Sequence, residues 1–308
     1  MKLVEIKLRK NNFGDDLNEW LWPQIFANID DNDNGYFLGI GTILLGGSPV
    51  LEKISRSKKI VFGSGVRPSE LYVSYKPDSL TDIKFLRGPL SSQALDHKYE
   101  YITDAAYAVR QLDNFQQLQN TEKKYEISVM PYFHSVDYFD WKSICKKLGF
   151  HYISPLSENG VEFTLKEIAA SRHLISEAMH GAIAADLLRV PWHRFVLTTP
   201  HTEGDMVSQF KWADWLQSIK IYNPQITFIP FYKKSRVHNW VKNISNNIIA
   251  TEFLYKPYVK KRIVEKLALV KDFYLSDNIL LSEIDMKILK KINQLKAEYN
   301  FQDNRTNA

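Results

Sequence analysis

The sequence predicts an α/β fold in two domains built on parallel sheets, and three observations carry that prediction. Its 308 residues exceed what one hydrophobic core fills comfortably, since single cores stop growing near roughly 250–300 residues. Short apolar runs recur along the chain, each closed by a Gly- or Pro-containing loop, as strands buried on both faces read. Amphipathic runs of helical length lie between them, and regular alternation of strand and helix implies right-handed crossovers and parallel pairing.

The elements follow in order. Lys2–Leu8 alternates and predicts a first strand, followed by the turn NNFGDD and the amphipathic helix Leu17–Ala27. Tyr36–Leu38, Lys59–Phe62 and Ile83–Leu86 read as buried strands, ended by GIGTILLGG, GSGVRP and RGPLS. The polar, unpatterned stretch Asp113–Lys124 predicts a linker, which divides the chain into domains at 1–118 and 119–308. Beyond it, strands are expected at Tyr125–Tyr132, His151–Ser154, His173–Ser176 and Arg194–Thr199. Helices are expected at Trp141–Leu148, Leu165–Ala170 and Gly181–Leu188. From Phe210 the pattern turns helical with FKWADWLQSI. A Tyr/Pro-rich stretch of ambiguous type follows, then charged amphipathic helices near Val259–Val270 and Ser282–Tyr299. The final QDNRTNA predicts a disordered tail.

Composition narrows the function. Forty Lys and Arg against 35 Asp and Glu give a net charge of +5, too mild for a nucleic-acid protein, although an anionic substrate remains compatible. The single cysteine, Cys145, sits on the expected inner face of a helix, so neither a disulfide framework nor a Cys-based metal site can be built. The opening MKLVEIKLRK lacks a signal-peptide core, and no run reaches the roughly 18 apolar residues of a membrane span, so a cytoplasmic location is expected.

Three clusters can carry chemistry. At Ser176–Gly181 an apolar strand runs into Glu177, Ala178, Met179, His180 and Gly181, then into the small-residue helix AIAADLLRV. A helix starting at a strand's carboxyl end points unpaired N–H groups and its positive dipole end at whatever binds, which places His180 beside an anion; a capped turn with a packed histidine is the structural alternative. Arg87, in RGPLS with Ser91, stands at another strand end and can grip a phosphate or carboxylate with two parallel hydrogen bonds. In NNFGDD, Gly14 permits a tight turn and Asp15 can cap the helix or act on a substrate hydroxyl. Gly63, Ser64 and Gly65 form a short loop of the kind that exposes backbone N–H groups, but the Walker lysine and the full G-x-G-x-x-G are missing. No G-x-S-x-G elbow is present, and His173, His193 and His201 do not space like metal ligands, so no metal site is expected.

The order and wording of these segments resemble the polysaccharide pyruvyltransferase family. The resemblance is carried by NNFGDDLNEWLWPQI, IVFGSGVR, FLRGPLSSQAL, YITDAA, SEAMHGAIAADLLRVPW and FKWADWLQSI, over roughly residues 3 to 220. It implies two Rossmann-like domains facing a cleft, similar to the GT-B glycosyltransferases, with C-terminal helices beyond. It also implies phosphoenolpyruvate as donor, no cofactor or metal, and a sugar or lipid-linked oligosaccharide as acceptor, giving a cyclic pyruvate ketal. Met179 stands where the family often has Leu, and Glu177 where it often has Arg.

On this resemblance His180 is the expected acid or phosphate-binding cation. Asp15 or Asp104 activates the acceptor hydroxyl, and Arg87, Met179, Gly181, Gly14, Gly63, Ser64, Gly65, Arg67, Ser91 and Glu177 are expected around the substrates. The competing expectations are a nucleotide-sugar glycosyltransferase of the same shape and a non-catalytic glycan-binding subunit. The basic amphipathic run Lys256–Lys271 reads either as a strap packed across the domains or as a helix lying on an anionic membrane.

Overall fold

A computed structural model describes residues 1–4, 12–29, 35–68, 74–231 and 252–301. The fold is mixed α/β with two parallel sheets. In the first, β1 (Lys2–Leu3), β2 (Tyr36–Leu38), β3 (Lys59–Phe62) and β4 (Thr81–Phe85) pair in chain order. Around them lie α1 (Phe13–Ile25), α2 (Pro49–Lys53) and α3 (Pro89–Gln93). The second sheet holds β5 (Tyr125–Met130), β6 (His151–Tyr152), β7 (Ser171–Ser176), β8 (Trp192–Val196) and β9 (Ile226–Phe228), in the order β6-β5-β7-β8-β9. Its helices include α5 (Trp141–Leu148), α6 (Val161–Ala169), α7 (Met179–Leu187) and α8 (Asp205–Ser218). Among the described residues every pairing between these strands is parallel.

Most expected elements are present within a few residues. Tyr36–Leu38, Lys59–Phe62 and Trp141–Leu148 match end to end. Only Lys2–Leu3 of the first strand is found, residues 5–11 of that region lying outside the described residues, as does the expected disordered tail. One expectation needs correction, and one open stretch is resolved. The stretch read as a linker contains α4 (Phe115–Gln119), because Phe115 and Leu118 bury against the core although everything around them is polar. The ambiguous Tyr/Pro-rich stretch supplies β9, an edge strand whose Ile226 and Phe228 are exposed.

Two further helices complete the chain, α9 (Glu252–Leu267) and α10 (Asn278–Tyr299). The basic run on α9 behaves as a strap: Val259, Ile263 and Leu267 are buried in one cluster with Ile144 and Cys145 of α5, so the apolar face is spent inside the protein. Helix α10 buries Leu281, Ile284, Ile288, Ile292, Leu295 and Tyr299, the 3.6-residue stripe of an amphipathic helix. That stripe joins the same core as Leu21 and Trp22 of α1 and Phe62 of β3, and Phe301 packs 5.0 Å from Phe26 between ring centroids. No helix among the described residues is long and apolar enough to cross a membrane.

Candidate functional site

A cavity of about 530 Å³ opens where the carboxyl ends of both sheets' strands meet, within the roughly 300–1,000 Å³ range of small-ligand sites. In the second sheet the strand order reverses between β5 and β7, and ligands in open parallel sheets bind outside the carboxyl ends at such a switch point. Met130, Tyr132, Ala178, Met179 and His180, from the ends of those two strands, line the cavity. Across from them stand Gly14, Asp15, Thr42, Arg67 and Arg87 from the first sheet's loops, and α8 with its preceding turn adds Lys211, Thr202 and Glu203.

His180 lies in the first turn of α7, whose start has no capping side chain. Its Nε2 is buried without a hydrogen-bond partner among the described residues. Its Nδ1 lies so close to Gly14 that a Cβ there would sit 2.0 Å away, which explains the glycine at that position of α1. Burial, with Lys211 and Arg87 nearby, pulls the imidazole down to about 3, so at neutral pH it is uncharged. Asp15, which lines the same cavity, is pushed up to about 6, chiefly by burial, while Asn12 Nδ2 donates to its Oδ2 at 3.0 Å and partly offsets the shift. Asn12 also caps α1 by accepting from Gly14 N at 3.1 Å.

Arg87 is 1% exposed, and its guanidinium is held along one side. Nε donates to Asp214 Oδ2 at 3.0 Å and one terminal nitrogen to Thr42 Oγ1 at 2.8 Å; the other terminal nitrogen is buried without a partner among the described residues. A Cβ on Gly65 would fall 2.3 Å from the guanidinium carbon, so this glycine makes room for Arg87. Lys211 donates to Glu203 Oε1 at 2.5 Å, and burial holds its ammonium below the usual lysine range. Arg67 lines the same wall and forms no ion pair among the described residues.

Other expected site residues form a supporting layer. Glu177 is 1% exposed, away from the cavity surface. Its Oε1 accepts from the Leu197, Thr198 and Thr199 N–H groups and the Thr198 hydroxyl, and its Oε2 from Tyr132 N and the Ser135 hydroxyl. That carboxylate pins the ends of β5, β7 and β8 together. Ser64 donates to backbone carbonyls of Leu38 and Gly39, and the Gly63 and Gly65 N–H groups bond to Phe85 and Gly41 carbonyls; the loop's expected free donors are therefore largely spent. Ser91 donates to Asp214 Oδ2 at 2.6 Å and accepts from Val66 N. Gly181 is required by packing, since a Cβ would meet Met130 Sδ and Ser176 Oγ, both at 2.6 Å. Asp104 is fully buried behind Arg87 and raised to about 6 by that burial, with Oδ1 capping at Ala106 N and Oδ2 unpartnered.

Lys211, Glu203, Thr42 and Asp214 escaped the sequence reading. Lys211 and Asp214 carried a signal, since FKWADW spaces them one helical turn apart on α8, where both reach toward Arg87.

The described residues contain no group of three or more His, Cys, Asp or Glu side chains placed to hold a metal ion. The cavity combines cationic or neutral donors, Arg87, Lys211, Arg67 and His180, with the carboxyl groups of Asp15, Asp16, Glu19 and Glu203; Glu203 is paired with Lys211 and Asp15 is raised to about 6. Such a set can bind an anion and move a proton beside it.

No family model matches the chain. Among solved structures it is similar to an uncharacterised Klebsiella pneumoniae protein, 16% identical with a TM-score of 0.43 over 74% of this chain and 92% of that one. It is also similar to the wall teichoic acid polymerase TagF, 12% identical with a TM-score of 0.33 over 85% of this chain and 73% of that one. The succinoglycan biosynthesis protein ExoV of Rhizobium meliloti strain 1021 is 35% identical over 228 residues, 73% of this chain and 67% of that protein. Likeness at that level over most of both chains, added to the motif order that meets around one cavity, settles the classification: the chain belongs to the polysaccharide pyruvyltransferase family.

Proposed function

We propose that this protein transfers pyruvate from phosphoenolpyruvate to two hydroxyls of a sugar in an exopolysaccharide or its lipid-linked precursor, forming a cyclic ketal and releasing phosphate. We read the two sheets as Rossmann-like domains facing a cleft in the GT-B manner, with the cavity as the active site. The observation that carries this reading is a pair of buried, unpartnered polar atoms on one cavity, His180 Nε2 and a terminal nitrogen of Arg87. Unsatisfied buried polar groups are costly and rare, and two beside Lys211 suit a small ligand rich in anionic oxygens.

The chemistry follows from the charges. Arg87 and Lys211, with the first N–H groups of α7, bind the donor's phosphate and carboxylate. A phosphate beside His180 offsets the two cations that hold its imidazole neutral, so donor binding raises its pKa and charges it. Charged His180 then protonates the methylene carbon, and a sugar hydroxyl attacks the oxocarbenium-like C2. Asp15, ionised above about pH 6, takes that hydroxyl's proton. Phosphate departs with its bonding electrons; as the second hydroxyl closes the ring its proton passes to the now neutral His180, and the proton held by Asp15 leaves with the phosphate.

Incubation with phosphoenolpyruvate and candidate glycan acceptors, read by mass spectrometry, should show the mass increment of a pyruvate ketal. Arg87→Lys should raise the donor KM at least about tenfold, because an ammonium cannot reproduce the fork. Transfer of a hexose from a nucleotide sugar, or a donor KM untouched by Arg87→Lys, would overturn the reading.

A further inference from the structure

We infer that Asp214 is a positioning residue for donor binding: it fixes the Arg87 guanidinium so that its unpartnered nitrogen faces the cavity. The inference rests on the phosphoenolpyruvate reading above and extends it to a residue that touches no substrate.

Arg87 leaves β4 on the first sheet, whereas Asp214 lies on α8, which follows β8 of the second. The two side chains are 1% and 0% exposed, and Nε of Arg87 donates to Asp214 Oδ2 at 3.0 Å. Asp214 is itself immobilised. Its Oδ1 accepts from Ser91 N at 2.9 Å and its Oδ2 from the Ser91 hydroxyl at 2.6 Å, both at the start of α3. Backbone packing leaves no slack, since a Cβ on Gly88 would lie 2.0 Å from the Asp214 carbonyl oxygen and one on Gly65 would strike the guanidinium.

A guanidinium offers five N–H donors in a rigid plane, so fixing one edge fixes the direction of the other. Asp214 occupies the Nε edge, Thr42 takes one terminal nitrogen, and the second terminal nitrogen stays unsatisfied beside the cavity that Arg87 and Thr42 line. A freely rotating arginine would lose conformational entropy on gripping an anion. Asp214 meets that loss during folding, which is preorganisation of a binding group by a neighbour. Lys211 stands one turn earlier on α8, so a single helix both contributes a cation and aims another.

A double-mutant cycle on phosphoenolpyruvate binding, measured by titration calorimetry, tests this without an acceptor. Asp214→Asn should weaken binding tenfold or more, and Arg87→Lys should do likewise. Combining them should weaken binding less than about threefold beyond Arg87→Lys alone, because a misaimed lysine has no fork left to lose. A purely structural Asp214 would instead give multiplying effects. Asp214→Asn binding within twofold of the parent, or a full product in the double variant, overturns the inference while leaving the phosphoenolpyruvate reading intact if Arg87→Lys still weakens binding. A parent that binds no phosphoenolpyruvate overturns both. Should Asp214→Asn fail to fold, Asp214→Glu keeps the charge and shifts the carboxylate by one methylene. It should fold and still weaken binding about fivefold or more, and parent-like binding would count against the inference.

Discussion

The two ends of α7 differ sharply in how their polar groups are satisfied. At the carboxyl end Asp186 is fully buried and saturated: it accepts from Tyr107 OH at 2.8 Å, Trp192 Nε1 at 3.2 Å, Ser276 N at 2.9 Å and Ser276 Oγ at 2.6 Å. Arg189, three residues on, donates to Ser276 as well. At the amino end, about two and a half turns away at about 1.5 Å of rise per residue, no side chain caps the helix, and His180 Nε2 has no partner among the described residues. The same nine-residue helix thus ends once in a finished network and once in an unfinished one. Buried polar groups left open cost stability, so the difference separates an end built for folding from an end built for a ligand.

Exchanging the fates of the two ends is the strongest way to break that contrast. His180→Ala removes a group with no internal hydrogen bond through Nε2. It should lower ketal formation by about 10²–10⁴-fold, the range of a lost acid–base group, with urea stability within about 1 kcal/mol of the parent. Asp186→Ala strands four donors in the core and should cost about 3–5 kcal/mol, with any folded fraction retaining donor affinity. Urea unfolding and donor titration on both variants check this. A stability loss at His180 equal to that at Asp186 would make the histidine a structural group.

A smaller effect is expected at Gly14. Alanine ordinarily favours a helix over glycine by about 1 kcal/mol, and Gly14 lies in the first turn of α1 with no positive φ to forbid a side chain. Its Cβ would nevertheless press on the imidazole at 2.0 Å. Gly14→Ala should therefore cost roughly 10²-fold in activity by displacing His180, while the melting temperature moves little. Activity within a few-fold of the parent would mean that His180 can shift without consequence.

Much of this was legible in the residues because buried parallel strands announce themselves. Lys59–Phe62 is an unbroken buried run between a charged stretch and a glycine loop, and β2 reads the same way. The edge strand β9 was not legible: Ile226–Phe228 is only three residues of an apolar run flanked by Pro224 and Pro230, which reads equally well as loop. α4 was missed for a different reason, since two buried side chains in a polar stretch make no periodic signal. At the site, His180, Arg87, Asp15 and Gly14 could be chosen because strand ends and helix starts place them together. Ser64, Ser91 and Glu177 could not be told from cavity-facing donors, because whether a hydroxyl or carboxylate is spent on its own backbone depends on chain far away. The Glu177 partners, for example, lie near residues 132 and 198. Lys211 and Asp214 stand more than a hundred residues beyond Arg87, and only the fold reveals that they converge on it.

The mildest test compares the unfinished end with itself at two pH values. Folding holds His180 down at about 3, whereas an unfolded histidine titrates near 6.5. Between those values the unfolded chain carries one more proton at this group than the native one, so His180 contributes stability that is present above about pH 6.5 and is lost on acidification toward 3. Asp15 and Asp104 work the other way. Raised to about 6 from 3.8, they bind protons first in the native state, and their contribution is present below about 3.8 and lost as the pH rises through 6. The parent's pH dependence is therefore a partial cancellation, and the histidine's share appears only by difference. His180→Gln keeps a polar group of similar size and removes the titration. From pH 7 to pH 5 the parent should lose up to about 2 kcal/mol relative to the variant, from 1.36 kcal/mol per pH unit over the window below 6.5. Urea titrations of both proteins at the two pH values measure it. Parallel stabilities would show that His180 takes up a proton in the native state as readily as when unfolded. The open end of α7 would then lack the charge-repelling environment that donor binding is proposed to relieve.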